Sequence, residues 1–291
     1  MFSVTLISAP GLLDASLLEN LRNAWGGGDA LWLAPDEAAE FSCAALPENR
    51  WKVWQDLQGM QVDVIVQPEE NRRKKMLLAD MDSTMIQQEC IDELADHAGV
   101  GARVKDITAR AMNGELDFEQ ALHERVALLQ GQPASIIDQV LAERIELMPG
   151  STVLLATMRA HGAYAALVSS GFTAFSAVIA EKLGFDTHRA NRLLMQDEVL
   201  TGKVALPILG RQAKVDALEA FTSSLGISES DVLAVGDGAN DLGMLGRAGA
   251  GVALHAKPSV AAECDIRVNF GDLTALLYLQ GFSKSEFTPA G

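Results

Sequence analysis

LLADMDSTMI, residues 77–86, decides how the rest of the chain is read. An apolar run ends in two aspartates, Asp80 and Asp82, separated only by Met81, and two hydroxyl residues follow before the sequence turns apolar again. Two like charges at the end of a buried strand repel each other and lose hydration, so the arrangement asks for a compensating role. In an extended strand residues i and i+2 point to the same side, so both carboxylates can face one ligand. Short apolar runs of this kind, each followed by a helical stretch, build a parallel α/β sheet whose ligand crevice lies beyond the carboxyl ends of the strands.

Downstream, AALVSS (165–170), VLAVGD (232–237), AGVAL (250–254) and IRVNF (266–270) repeat the pattern begun by MLLAD (76–80). The expected architecture is a Rossmann-like parallel sheet with helices on both faces. Residues 85–149 carry helical periodicity and no strand candidate, which reads as a helical cap inserted after the first strand. Upstream, FSVTLIS, DASLLENLRNAW, DALWLA, AEFSCAAL, ENRWKVWQDLQG and VDVIVQP alternate as βαββαβ, the order of a small ferredoxin-like domain. The polar stretch PEENRRKK (68–75) suits a solvated linker. The expected division is residues 1–70, a core of 71–84 with 150–291, and a cap of 85–149.

The bulk numbers exclude several functions. A 291-residue chain with 48% hydrophobic and 21% charged residues is an ordinary globular protein. Its formal charge of −16 opposes any general affinity for nucleic-acid phosphates or anionic membranes. An anion must then be held locally, by a metal, a few basic side chains and backbone N–H groups. Cys43, Cys90 and Cys264 follow no CxxC spacing, which disfavours a disulfide framework or zinc site and suits a reducing cytoplasm. MFSVTLISAPGLL lacks the basic start of a signal peptide, and GAYAALVSSGFTAFSAVIA (162–180) is broken by Gly and Ser in a way that fits a buried strand, turn and helix.

Polar clusters fall where the parallel strands should end: Asp80/Asp82, Ser169/Ser170, Lys214 just inside a helix, and Asp237 with Asn240 and Asp241. Carboxylates converging from two strand ends call for a cation, and an all-oxygen set fits Mg²⁺ better than zinc. In VGDGANDLGML (235–245) the glycines flanking Asp237 allow a tight turn, and Asn240 or Asp241 can cap the helix that follows. Caps alone would explain these acids; a second acidic strand end makes a metal site the better account. Lys214 taken singly reads as a surface lysine. Carboxylate, Ser/Gly turn, lysine and acidic loop in that order suit phosphoryl transfer to an aspartate.

These motifs, Asp80-Met81-Asp82-Ser83-Thr84, Ser169, Lys214 and Gly236-Asp237-Gly238-Ala239-Asn240-Asp241, resemble those of the haloacid dehalogenase-like superfamily of phosphohydrolases. DMDSTMIQQECIDELA, FEQALHERVALLQG, SSGFTAF, ANRLLMQDEVLTGKV and AVGDGANDLGML resemble segments of its phosphoserine phosphatase family, over about residues 74–278. Residues 1–70 are similar in element order to an ACT-like domain.

The resemblance implies Mg²⁺-dependent hydrolysis of O-phospho-L-serine, the last step of serine synthesis, with another small amino-acid-like phosphomonoester as the alternative substrate. It makes Asp80 the nucleophile and Asp82 the acid/base. Asp80, the Asp82 carbonyl, Asp237 and Asp241 would form the metal site. Ser169, Ser170, Gly171, Lys214 and Asn240 would surround the phosphate, with Ser170 standing where the family usually has glycine. Pattern alone leaves Arg125, on the apolar stripe of Phe118, Ala121, Leu122 and Leu129, equally well read as a snorkelling side chain. Glu89 alone reads as a solvated helix residue. The resemblance makes Glu89 and Arg125 the holders of the substrate's ammonium and carboxylate, and Met112 and Phe118 an apolar lid. A signalling receiver, which also uses Asp, Lys and Mg²⁺, lacks the second aspartate and the cap. The N-terminal domain adds two further expectations: an amino-acid-sensing role and a homodimer.

Overall fold

The computed structural model of the chain describes residues 1–289. Two compact units emerge: Met1–Leu78 with Pro149–Ala165 and the chain from Leu218 onward, and Ala79–Met148 with Ala166–Ala217.

The first unit opens with β1 (Phe2–Ile7), α1 (Ala15–Ala24), β2 (Leu31–Ala34), β3 (Ala38–Cys43), α2 (Arg50–Gln58) and β4 (Asp63–Pro68), the βαββαβ order expected. They form an antiparallel sheet of order β2-β3-β1-β4. Asp14 caps α1 by accepting from the Ser16 N–H. Leu18 and Leu21 of α1 and Leu57 of α2 then pack with Val4, Leu6, Phe41 and Val64 in one core. The same unit holds β5 (Met76–Ala79) next to β10 (Val232–Gly236), which continues through β11 (Ala250–Leu254) to β12 (Ile266–Val268); β10, β11 and β12 run parallel. β5 and β10 are buried along their whole length, as strands covered on both faces must be. Helices α7 (Ser151–Ala160), α10 (Leu242–Leu245), α11 (Pro258–Ala261) and α12 (Ala275–Leu279) complete it.

The second unit carries four helices in the insertion: α3 (Cys90–His97), α4 (Gly101–Met112), α5 (Phe118–Ala127) and α6 (Ile136–Glu143). β6 (Tyr164–Phe172), α8 (Thr173–Leu183) and β7 (Thr187–Asn191) follow, with β6 and β7 paired in parallel. The hairpin β8 (Leu193–Gln196) and β9 (Val199–Val204) leads to α9 (Arg211–Leu225). The expected parallel sheet flanked by helices is thus observed. β7, β8 and β9 are additions to the sequence reading, which placed no strand between residues 171 and 231. β7 is polar where it is not buried (Thr187, His188, Arg189), and in β8 and β9 the apolar Met195 and Val199 are exposed, so no clean alternation of buried apolar and exposed polar residues announces them.

Candidate active site

The second unit gathers five of the expected residues around one carboxylate pair. β5 delivers Asp80, 5% exposed, whose Oδ1 accepts from the Met81 N–H at 2.8 Å and lies 2.7 Å from the Lys214 Nζ. Lys214, in the first turn of α9, is 1% exposed. A buried ammonium is strongly disfavoured unless paired, so this ion pair is a property of the site and excludes the surface-lysine reading.

Asp82 is held from two sides. Its Oδ1 accepts from the Cys90 N–H at 2.8 Å, the first amide of α3, and its Oδ2 accepts from the Ser169 hydroxyl at 3.1 Å. A helix N-terminus favours negative charge, and the amide fixes the carboxylate plane. The segment between the two aspartates and α3 winds tightly: Thr84, Met85 and Ile86 all donate backbone N–H bonds to the Met81 carbonyl, and Ser83 takes φ +53°. Burial, with Asp82 beside it, pushes the Cys90 thiol well above its ordinary pKa, leaving it inert.

Ser169 ends the fully buried part of β6, and its Oγ also accepts from the Gly171 N–H at 2.7 Å. Gly171 is required by proximity: a Cβ there would stand 2.5 Å from Asp82 Oδ2 and 3.0 Å from Ser169 Oγ. Ser170 presents its carbonyl to the Asn191 amide at 2.8 Å.

The residues expected to hold the substrate lie in the insertion. α3 begins at Cys90, so Glu89 sits at its N-cap position, not within the helix as the sequence alone suggests; its carboxylate accepts from the Ser83 hydroxyl at 2.7 Å. Arg125 on α5 is half-buried at the edge of the stripe of Ala121, Leu122, Val126 and Leu129. Burial lowers its pKa, while Asp92 and Glu89 oppose that shift. Asp92 was missed in the sequence. Its Oδ1 is buried without a hydrogen-bond partner, and burial raises its carboxyl while Arg125 pulls it back. One helical turn beyond Glu89 was the only hint available. Phe118 and Met112 are exposed at the facing ends of α5 and α4, and the Phe118 ring lies against Gly210, where a Cβ would approach within 3.2 Å.

In the first unit the loop after β10 carries Asp237, Asn240 and Asp241. Asp241 occupies the N-cap position of α10 without capping it; its Oδ2 turns back to accept from the Gly238 N–H at 3.0 Å. Gly236 and Gly238 serve close packing: a Cβ would stand 2.3 Å from the Asp241 carboxylate carbon and 2.2 Å from Asn240 Oδ1, respectively. Asp237 and Asp241 in the first unit, and Asp80 in the second, offer carboxylate oxygens of the kind that a hard divalent cation takes.

Residues 77–246 match the haloacid dehalogenase-like hydrolase family. The chain belongs to that family. The hydrolase is 43% identical over 232 residues to the phosphoserine phosphatase of Streptomyces coelicolor, covering 80% of this chain and 56% of that protein. It thus spans little more than half the length of that relative. A solved phosphoserine phosphatase, described as a phospho-aspartyl intermediate analogue, is 41% identical with a TM-score of 0.66, covering 70% of this hydrolase and 98% of that chain. A HAD-family hydrolase from Salmonella enterica serovar Typhi superposes over 96% of this hydrolase and 98% of its own chain, with a TM-score of 0.88 at 28% identity. Among the described residues, no helix is long and apolar enough to cross a membrane.

Proposed function

We propose that this hydrolase is a Mg²⁺-dependent phosphatase converting O-phospho-L-serine to L-serine and phosphate. The observation that carries the reading is the buried Asp80–Lys214 pair beside an Asp82 carboxylate oriented by the Cys90 amide and the Ser169 hydroxyl. Asp80 attacks phosphorus, and the bond from phosphorus to the serine oxygen breaks as Asp82 gives that oxygen a proton. Asp82 then takes a proton from water as the water attacks the aspartyl phosphate, releasing phosphate and restoring the Asp80 carboxylate. Lys214 and the Ser169–Gly171 turn hold the phosphoryl oxygens. When bound, Mg²⁺ supplies divalent charge against the repulsion between phosphate and carboxylates; Asp80, the Asp82 carbonyl, Asp237 and Asp241 would hold it, with Asn240 alongside.

Glu89 takes the substrate ammonium and Arg125 its carboxylate, under the apolar cover of Met112 and Phe118. Support comes from the half-buried Arg125 with two carboxylates acting on it, and from relatives that are phosphoserine phosphatases. Residues 1–70 form an ACT-like domain through which two copies pair, 71–84 with 150–291 the catalytic core, and 85–149 the cap, in a cytoplasmic enzyme. The βαββαβ order and the four inserted helices support that division.

The test is phosphate release from phosphoserine, ethanolamine phosphate (no carboxylate), phosphoglycolate (no ammonium) and p-nitrophenyl phosphate. Each is assayed with Mg²⁺ and with a chelator. Phosphoserine should give the highest kcat/KM, and chelation should abolish turnover of all four. Faster hydrolysis of an ester lacking either charged group would sink the substrate reading, and full activity in chelator would sink the metal.

A further inference from the structure

Asn191, the last residue of β7, is a 2% exposed amide that the mechanism above does not use. Its Nδ2 donates to the Ser170 carbonyl at 2.8 Å and the Leu209 carbonyl at 3.0 Å, and its Oδ1 accepts from the Leu209 N–H at 2.7 Å. Both donor hydrogens are therefore committed. A buried amide is tolerated only when so satisfied, and an apolar residue would fill the position without that demand. What the amide adds is direction.

The Ser170 carbonyl and the Gly171 N–H belong to the same peptide unit, which is planar. Fixing the carbonyl therefore fixes the N–H, and that N–H donates to Ser169 Oγ at 2.7 Å. The Ser169 hydroxyl in turn donates to Asp82 Oδ2 at 3.1 Å. A single directed series of donors runs from the Asn191 amide, through one peptide, to the carboxylate assigned as acid/base, and bonds in series polarise one another. The second arm of the amide grips Leu209, two residues before α9 and the turn that carries Lys214. Gly210, the next residue, is where the Phe118 ring rests.

We propose that Asn191 is a positioning residue for proton transfer. It sets the Ser170–Gly171 peptide so that Ser169 presents Asp82 to the leaving oxygen, and it ties that turn to the segment bearing Lys214. This rests on the phosphatase reading for the role of Asp82, but not on which alcohol is esterified.

The test compares leaving groups. An alkyl ester such as phosphoserine needs a proton delivered as its bond breaks, whereas p-nitrophenolate departs without one. For Asn191→Ala, kcat/KM on phosphoserine should fall about tenfold to a hundredfold, the scale for a reacting group displaced by ~1 Å. On p-nitrophenyl phosphate it should fall at least about threefold less, since the Ser169–Gly171 turn holds the phosphoryl oxygens of both esters while proton delivery matters only to the alkyl one. Leu193→Ala, a buried neighbour in the same turn, should show no such split at a similar loss of melting temperature. Equal losses on both esters, or no loss on either, would overturn the proposal. If the alanine variant does not fold, Asn191→Asp keeps the Leu209 N–H bond, loses the donor to Ser170, and is read the same way. A wild-type enzyme inactive on phosphoserine would instead refute the substrate assignment, and the best alkyl ester it does cleave then replaces phosphoserine in the comparison.

Discussion

Asp63, at the start of β4, and Asp80, just past β5, are both cut off from water, 0% and 5% exposed. Asp63 accepts three peptide N–H bonds: Asn269 on Oδ1 at 2.9 Å, and Phe270 and Gly271 on Oδ2 at 2.9 and 3.0 Å. Asp80 accepts from the Met81 N–H and faces the Lys214 ammonium, both on Oδ1. Peptide donors belong to the fold and cannot leave. A side-chain ammonium can share its charge with an incoming phosphate. Burial alone therefore does not mark a catalytic carboxylate; the chemistry of its partner does. Asp63 pins the 269–271 loop to the N-terminal sheet, whereas Asp80 is the carboxylate proposed to form a bond to phosphorus.

The contrast breaks most visibly at Asp80. Asp80→Asn should lower turnover of every phosphomonoester on the order of 10⁴-fold or more, as expected for a lost nucleophile, measured at a temperature where circular dichroism shows the variant folded. Removing one charge of a buried ion pair is destabilising, by about 3–5 kcal/mol where the other charge stays buried, so the melting temperature should fall as well. Residual phosphate release within about a hundredfold of wild type would mean that water, not Asp80, attacks.

A smaller effect is expected at Arg125, which is proposed to act in binding. Arg125→Ala should raise KM for phosphoserine and leave ethanolamine phosphate nearly unchanged. A charged hydrogen-bonded contact is worth roughly 1.5–3 kcal/mol, about tenfold to a hundredfold. Steady-state kinetics on the two esters decides it. Parallel losses on both would make Arg125 a structural residue held by Asp92, not a carboxylate ligand.

The parts of this site that were legible in the sequence were the dense ones. DMDST and GDGAND put several chemically committed residues within a few positions, and the βαββαβ order was legible from strand-length apolar runs separated by helical ones. Single residues were not. Lys214 sits in a helix whose sequence gives no sign that one lysine is buried, and Asn191 and Asp92 gain meaning only from partners far along the chain. The β8–β9 hairpin was missed for a local reason. Its turn residues, Asp197 and Glu198, both take positive φ (50° and 60°), the geometry usually announced by Asn-Gly. Two acidic residues there read instead as a solvated loop. Glu89 was read into the helix although it stands at its N-cap, because the tight winding before Cys90 imitates helical spacing.

Asp63 gives the converse test, an effect on stability with none on chemistry. Asn at position 63 offers one oxygen where the carboxylate offers two, so at least one of the three N–H donors of the 269–271 loop loses its acceptor. Leaving a buried donor unmet costs about 1–3 kcal/mol. The size of the effect should depend on pH. Burial holds the Asp63 carboxyl above the ordinary aspartate value, against the pull of the three N–H groups and His255. The native state therefore binds this proton more tightly than the unfolded chain does. Wild-type stability from this group is then fully present below the ordinary aspartate pKa and declines as pH rises through the native value. Asparagine does not titrate, so the melting-temperature gap between wild type and Asp63→Asn should be widest in acid and narrow as pH rises, while kcat of the folded variant stays within about twofold of wild type. A gap that widened with pH would mean that the three amides outweigh burial and hold Asp63 ionised. A fall in kcat at full folding would carry the 269–271 loop into the catalytic machinery and remove the distinction between the two buried acids.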